Sequence, residues 1–145
     1  MNHKSDYPIA CEYLGRVREA ERHVDWLRQR VMNLRMLLTD TSVHFSDMPH
    51  SDSPDLQKHD TLHAEIDELE REIAEAEKAK EDIRIEVGRT VCRLSDPLSQ
   101  RAIIYHYLQG LSWRETAVKM KYSPMQVYRY RDAGYAELEE MLKAA

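Results

Sequence analysis

The side chains best suited to act on another molecule lie near the C-terminal end of the chain. From Ser112 to Arg131 there are five bases, Arg114, Lys119, Lys121, Arg129 and Arg131, against one acid, Glu115. Within that stretch, Ser123-Pro124-Met125-Gln126 is a helix-start signal, with Ser123 as the cap and Pro124 in the first turn. A helix starting there projects Met125, Gln126, Arg129 and Asp132 from its first turns. Gln can pair with adenine and Arg with guanine in the major groove of duplex DNA, which makes these four the candidate base-reading residues. Ser112, Arg114, Lys119, Lys121, Ser123 and Arg131 are the candidate phosphate contacts, because cations and helix starts favour anions.

Other chemistries find less material. His59 and His63 stand four apart, the spacing of a metal pair, but without a third good ligand close by they read as surface histidines. Trp113 and six tyrosines between residues 105 and 135 could stack on single-stranded bases. Crowded into so short a stretch, they read instead as the core of a small domain. Cys11 and Cys92 form no Cys-x-x-Cys pair and read as reduced. No Gly-rich phosphate loop and no nucleophile constellation occurs, so neither an enzyme nor a cofactor is expected.

The elements that must carry these residues are helical. Tyr13, Val17, Ala20, Val24, Leu27, Val31, Leu34 and Leu38 alternate at spacings of 4 and 3, a heptad seam on a helix beginning near Pro8. A second seam runs through Leu62, Ile66, Leu69, Ile73, Ala76, Lys80, Ile83, Val87 and Val91. The Ser-, Asp-, Pro- and His-rich stretch 39–55 between them reads as a loop. The expected fold is all-α: a long antiparallel, coiled-coil-like helical hairpin over 1–92, followed by a helix-turn-helix over 93–145. In the second part, Asp96-Pro97 starts a helix over 98–109 that Gly110 ends. Ser112 and Glu115 form a capping box for a short helix to Met120, Lys121-Tyr122 make a tight turn, and the last helix runs over 124–142. Ala117 is small enough for close crossing, and Leu111, Val118 or Met120, Val127, Tyr130 and Leu138 are the expected core.

Composition bounds the rest. Four Gly and five Pro in 145 residues leave little for hairpin turns, and no apolar run is long enough to cross a bilayer. The first residues lack the apolar run of a signal peptide, so a cytoplasmic protein is expected. The net charge of −5 conceals an asymmetry, because residues 55–90 carry 12 acids against 6 bases while 112–131 is basic. The two seams hold more apolar side chains than one pairing hides, which predicts a homodimer through the hairpin.

The stretch LSDPLSQRAIIYHYLQGLSWRETAVKMKYSPMQVYRYRDAGYAEL resembles sigma factor region four. More closely it resembles small phage-encoded transcriptional regulators of Gram-positive bacteria. Arg101, Tyr107, Gly110, Ser112, Trp113, Ala117, Tyr122, Ser123 and Val127 follow that pattern in order, and SDMPHSDSPDL before an acidic heptad helix extends the likeness over nearly the whole chain. The resemblance implies sequence-specific binding of double-stranded DNA in control of phage late genes, inside a bacterial host cell, with host RNA polymerase as a further partner. Thr116, Gly134 and Tyr135 depart from the pattern, and the last two predict looser packing behind the final helix. Two rival readings are a DNA-packaging protein of the small terminase type and a coiled-coil adaptor that binds no DNA.

Overall fold

A computed structural model describes the backbone of residues 6–45 and 54–145 and the side chains of 6–39 and 56–145. Helix α1 spans Pro8–Phe45 and α2 Pro54–Val91. Then come α3 (Pro97–Ile103), a π-helical turn (Ile104–Leu108), α4 (Trp113–Met120) and α5 (Pro124–Lys143). The fold is all-α, as expected, and no strand occurs among the described residues. Prolines open α1, α2, α3 and α5, at positions where a missing N–H leaves no broken hydrogen bond.

The expected loop over 39–55 is corrected at both ends. Helix α1 continues through Thr39 to Phe45, and α2 starts at Pro54. Nothing from Thr39 to Phe45 is Gly or Pro, and the weak helix formers there cost only a few tenths of a kcal/mol each. Thr39 shows how such a residue is accommodated: its hydroxyl donates to the Arg35 carbonyl one turn back, at 3.0 Å. Residues 46–53 of the expected loop lie outside the described residues.

The chain divides into two compact units, 1–20 with 80–145 and 21–79, rather than at residue 92. In the 21–79 unit, Leu27 and Val31 of α1 meet Ile66 and Leu69 of α2, with Leu34, Leu38, Ile73 and Ala76 around them. Ion pairs join Arg28 to Glu77 and Arg35 to Glu70. As numbers rise on α1 they fall on α2, so the pairing is antiparallel and the seams meet as their spacing predicts.

In the other unit, the first turns of α1 and the end of α2 share a core with the C-terminal helices. Ala10, Leu14, Val17, Val87, Val91, Leu94, Ile103, Tyr135 and Leu138 are buried together, which is why the boundary does not fall at 92. Leu14, outside the expected seam, is fully buried, while Tyr13 is half-buried and shares a 2.8 Å hydrogen bond with Thr90. Here α1 serves two neighbours, so its apolar stripe is wider than a heptad seam. Two carboxylates of α5 tie loose backbone ends. Buried Glu139 accepts from the Ala10 and Ile9 amides at 2.6 and 3.3 Å, groups that the first turn of a helix leaves unpaired. Glu137 accepts from the Ser95 amide at 3.0 Å and its hydroxyl at 2.9 Å.

Gly134 and Tyr135 tighten the back of α5, contrary to the expectation that they loosen it. A Cβ at Gly134 would stand 2.6 Å from Ile103 Cδ1 and 3.3 Å from Ser99 Cβ, so α3 and α5 cross closely only because that atom is missing. Tyr135 is buried, and its hydroxyl lies 2.6 Å from that of Tyr107. Gly134→Ala should therefore destabilise the protein by about 1 kcal/mol, overpacking outweighing the gain in helix propensity. In an Ile103→Val background, which removes the nearest carbon, the same change should cost less or stabilise. Denaturant unfolding of the four proteins measures this coupling, and equal effects in both backgrounds would refute the close crossing.

Candidate nucleic-acid interface

The surface residues in question are placed by a stack of rings and guanidinium groups beneath them. The expected continuous helix over 98–109 is instead α3, capped by the Asp96 carboxylate on the Leu98 amide at 3.0 Å, running into the π-turn. In that turn the Gln109 amide donates to the Ile104 carbonyl at 3.1 Å, five residues back. The wider turn carries His106 inward, where it is buried. Its Nδ1 lies 2.7 Å from the Leu111 carbonyl oxygen, and its Nε2 lies 3.0 Å from Arg18 Nη2. A neutral ring protonated on Nδ1 satisfies both partners, donating to one and accepting from the other. Burial, and then the Arg18 cation, hold its pKa down at about 4.

Trp113 stacks on His106 with centroids 3.8 Å apart and planes 15° from parallel. Arg131 follows, its guanidinium carbon 5.2 Å from the Trp113 ring, 4.6 Å from Tyr128 and 5.9 Å from Tyr135. Its Nε donates to Asp132 at 3.0 Å. Arg131 is only 5% exposed, so its assignment to phosphate is corrected: the cation is spent inside the domain, over aromatic faces.

Above this stack sits the two-helix corner. Ser112 Oγ accepts from the Glu115 amide at 3.1 Å, but Glu115 returns no bond among the described residues, so the expected capping box is half formed. The hydroxyl of buried Thr116 donates to the Ser112 carbonyl at 2.8 Å. Helix α4 ends on Lys121, whose φ of 62° is left-handed, a conformation that is costly for a side chain with a Cβ. Ser123 then opens α5 with a full box: Oγ accepts from the Gln126 amide at 3.2 Å and Gln126 Oε1 accepts from the Ser123 amide at 3.1 Å. Ala102, Ala117 and Val127 form the crossing, with Trp113, Met120 and Tyr130 packed on it. Of the expected core, Leu111 is half-buried, Leu138 belongs to the larger core, and Val118 is 76% exposed, leaving Met120 to pack there.

Ser112, Arg114, Lys119, Lys121, Ser123, Met125, Gln126 and Arg129 are all exposed, in the corner or on the first turns of α5. Two of the four expected base readers are already engaged. Gln126 has its amide oxygen in the cap, so it cannot offer adenine a bidentate pair while the cap holds. Asp132 is half-buried and bound to Arg131. The sequence reading also missed surface residues: Tyr122 and Tyr128, expected in the core, are exposed. Helical spacing could have revealed Tyr128, which stands three residues from Met125 and beside Arg129 on the outward side of α5. Elsewhere, the His59 and His63 rings are 4.6 Å apart, and the described residues hold no group of three metal-ligating side chains.

No protein-family model matches the chain, and no curated protein or solved structure does so either.

The depressed His106 pKa makes stability depend on pH with a definite sign. Between about 6.5, the unfolded value, and about 4, the unfolded chain binds the proton and the folded one does not. The contribution of the neutral ring is therefore complete above about pH 6.5 and is lost as pH falls towards 4. After allowance for solvent screening, the expected loss is roughly 1–2 kcal/mol. Denaturant unfolding at pH 7 and pH 4.5 should show that loss in the wild type beyond whatever His106→Gln loses. Parallel pH profiles would overturn the assignment.

Proposed function

We propose that this chain binds double-stranded DNA sequence-specifically, inserting the first turns of α5 into the major groove while α4 and the turn follow the phosphates. The observation that carries the reading is a capped two-helix corner whose exposed charge is four bases, Arg114, Lys119, Lys121 and Arg129, against Glu115 alone. This stands out in a chain of net charge −5. The resemblance to phage regulators extends the proposal to transcriptional control of late genes in the cytoplasm of a bacterial host, with host RNA polymerase as a second partner.

With three or four phosphate contacts, affinity should fall with salt at a log–log slope of about −3. Lys121→Asn removes a charge while tolerating the left-handed backbone, so it should weaken all duplexes alike and lower the slope by about one. Arg129→Ala should instead flatten preference at one or two base pairs. Fluorescence anisotropy on selected and random duplexes separates the two effects. A wild type that binds no duplex at 50 mM salt would refute the proposal.

We also propose that a second copy of the chain pairs with it through the 21–79 unit. The two seams close on each other there, so the expected dimer has to use a different surface. Trp26, Met32, Met36 and Leu37 are exposed on α1, among Gln29 and Asn33, which hydrogen-bond at 3.2 Å, and the Arg30 guanidinium carbon lies 5.0 Å from the Trp26 ring centroid. These four apolar side chains are clustered on one helix, and a two-fold pairing would bring the same cluster from each copy together and remove both from water. Sedimentation should show a dimer at micromolar concentration, and Met32→Glu combined with Met36→Glu should give a folded monomer. A wild-type monomer at high micromolar concentration would exclude the pairing.

A further inference from the structure

We infer that α5 reads the methyl groups of thymine, so that the preferred site is A·T-rich around a single G·C pair; this rests on the DNA-binding reading above. Few polar side chains on the first turns of α5 remain free to meet a base. Gln126 has committed its amide oxygen to the cap of its own helix. Asp132 is held by Arg131, and Arg131 itself is buried among rings. Arg129 is exposed and makes no hydrogen bond or ion pair among the described residues. Among the described residues of the first turns of α5 it is the cation free to read a base edge, and a guanidinium suits the paired acceptors of guanine.

Beside Arg129 stand two large side chains with apolar surface. Met125 is 64% exposed and Tyr128 37% exposed, three residues apart on the outward side of α5 and next to Arg129. Tyr128 is not a loose side chain: the Arg131 guanidinium carbon lies 4.6 Å from its ring centroid and holds it from beneath. Arg131 is thus a positioning residue for Tyr128. In the major groove the C5 methyl of thymine is the group that an apolar side chain can cover, since the other base edges present donors and acceptors. Met is flexible enough to reach it, and a fixed aromatic ring supplies a flat apolar surface.

The test uses the full-length wild-type protein and its best duplex from a binding-site selection. Each thymine in that duplex is replaced in turn by deoxyuridine, which keeps the hydrogen-bonding edge and lacks the methyl. At two or more positions affinity should fall about three- to fourfold per methyl removed. Met125→Ala and Tyr128→Ala should each abolish that sensitivity at one of those positions, and circular dichroism confirms that the variants remain helical. If the wild type binds a specific site but is indifferent to deoxyuridine everywhere, the methyl reading falls while DNA binding stands. If it binds no duplex at all, both fall.

Discussion

A neutral imidazole held between two cations is the constraint on which the C-terminal part of the structure depends. His106 sits with Arg18 on one side and, across the Trp113 ring, Arg131 on the other. A protonated ring there would face both guanidinium groups and would lose the bond it accepts from Arg18. The π-turn is what delivers the ring to that place, and Gly110, at φ 75°, lets the chain reverse so that the Leu111 carbonyl can hold the Nδ1 proton. Four pieces of the chain are thereby fixed together: the first turns of α1, the π-turn, the start of α4 and the middle of α5.

Helix α5 divides its length between competing duties, and the division explains why its outer surface has few polar groups to spare. Val127, Arg131, Gly134, Tyr135 and Leu138 face inward, and Glu137 and Glu139 tie backbone ends of other segments. Gln126 stabilises the helix start. Each polar side chain used as a fastener is removed from contact with a partner, because a hydrogen bond made internally is broken only at a cost of the order of 1 kcal/mol. What remains outward on its first two turns, apart from Pro124 and the capping Gln126, is Met125, Tyr128 and Arg129, on a helix whose position is set by packing rather than by solvent-exposed side chains.

The parts of this arrangement that were legible in the sequence are those governed by local periodicity and capping. Both heptad seams, the Asp96, Ser112 and Ser123 caps, the Gly110 stop and the small crossing residue Ala117 follow from spacing and residue type alone. The burial of Arg131 was also encoded in spacing, since it lies four residues after Val127 and four before Tyr135 on the inward stripe. Its charge argued for the surface, and only the surrounding rings reveal why burial is tolerated. The π-turn was not legible, because Ile104–Leu108 has the same apolar character an α-helix would have, and the extra residue is imposed by the bonds His106 makes at a distance in sequence. The continuation of α1 beyond Leu38 was hidden for the opposite reason: weak propensity argued against a helix that nothing actually interrupts.

A reading surface has to be held still to discriminate, since every rotamer frozen on binding subtracts from affinity. Here that rigidity is supplied from below. Tyr128 rests on Arg131, Arg131 on Trp113, Trp113 on His106, and His106 is bonded to Arg18 of α1. Met125 and Arg129 stand outside this column, and they are the side chains of the surface with the most freedom to adapt. The left-handed Lys121 tightens the corner further, because the strain at that residue is accepted in return for the hydrogen bonds its neighbour Tyr122 makes to Ala117 at 3.1 Å and its own amide makes to Val118 at 3.2 Å. A buried cation–aromatic column and a strained turn are both expensive ways to build a small helical domain. Their joint effect is to fix the angle at which α5 leaves the corner, and that angle decides which side chains can enter a groove together.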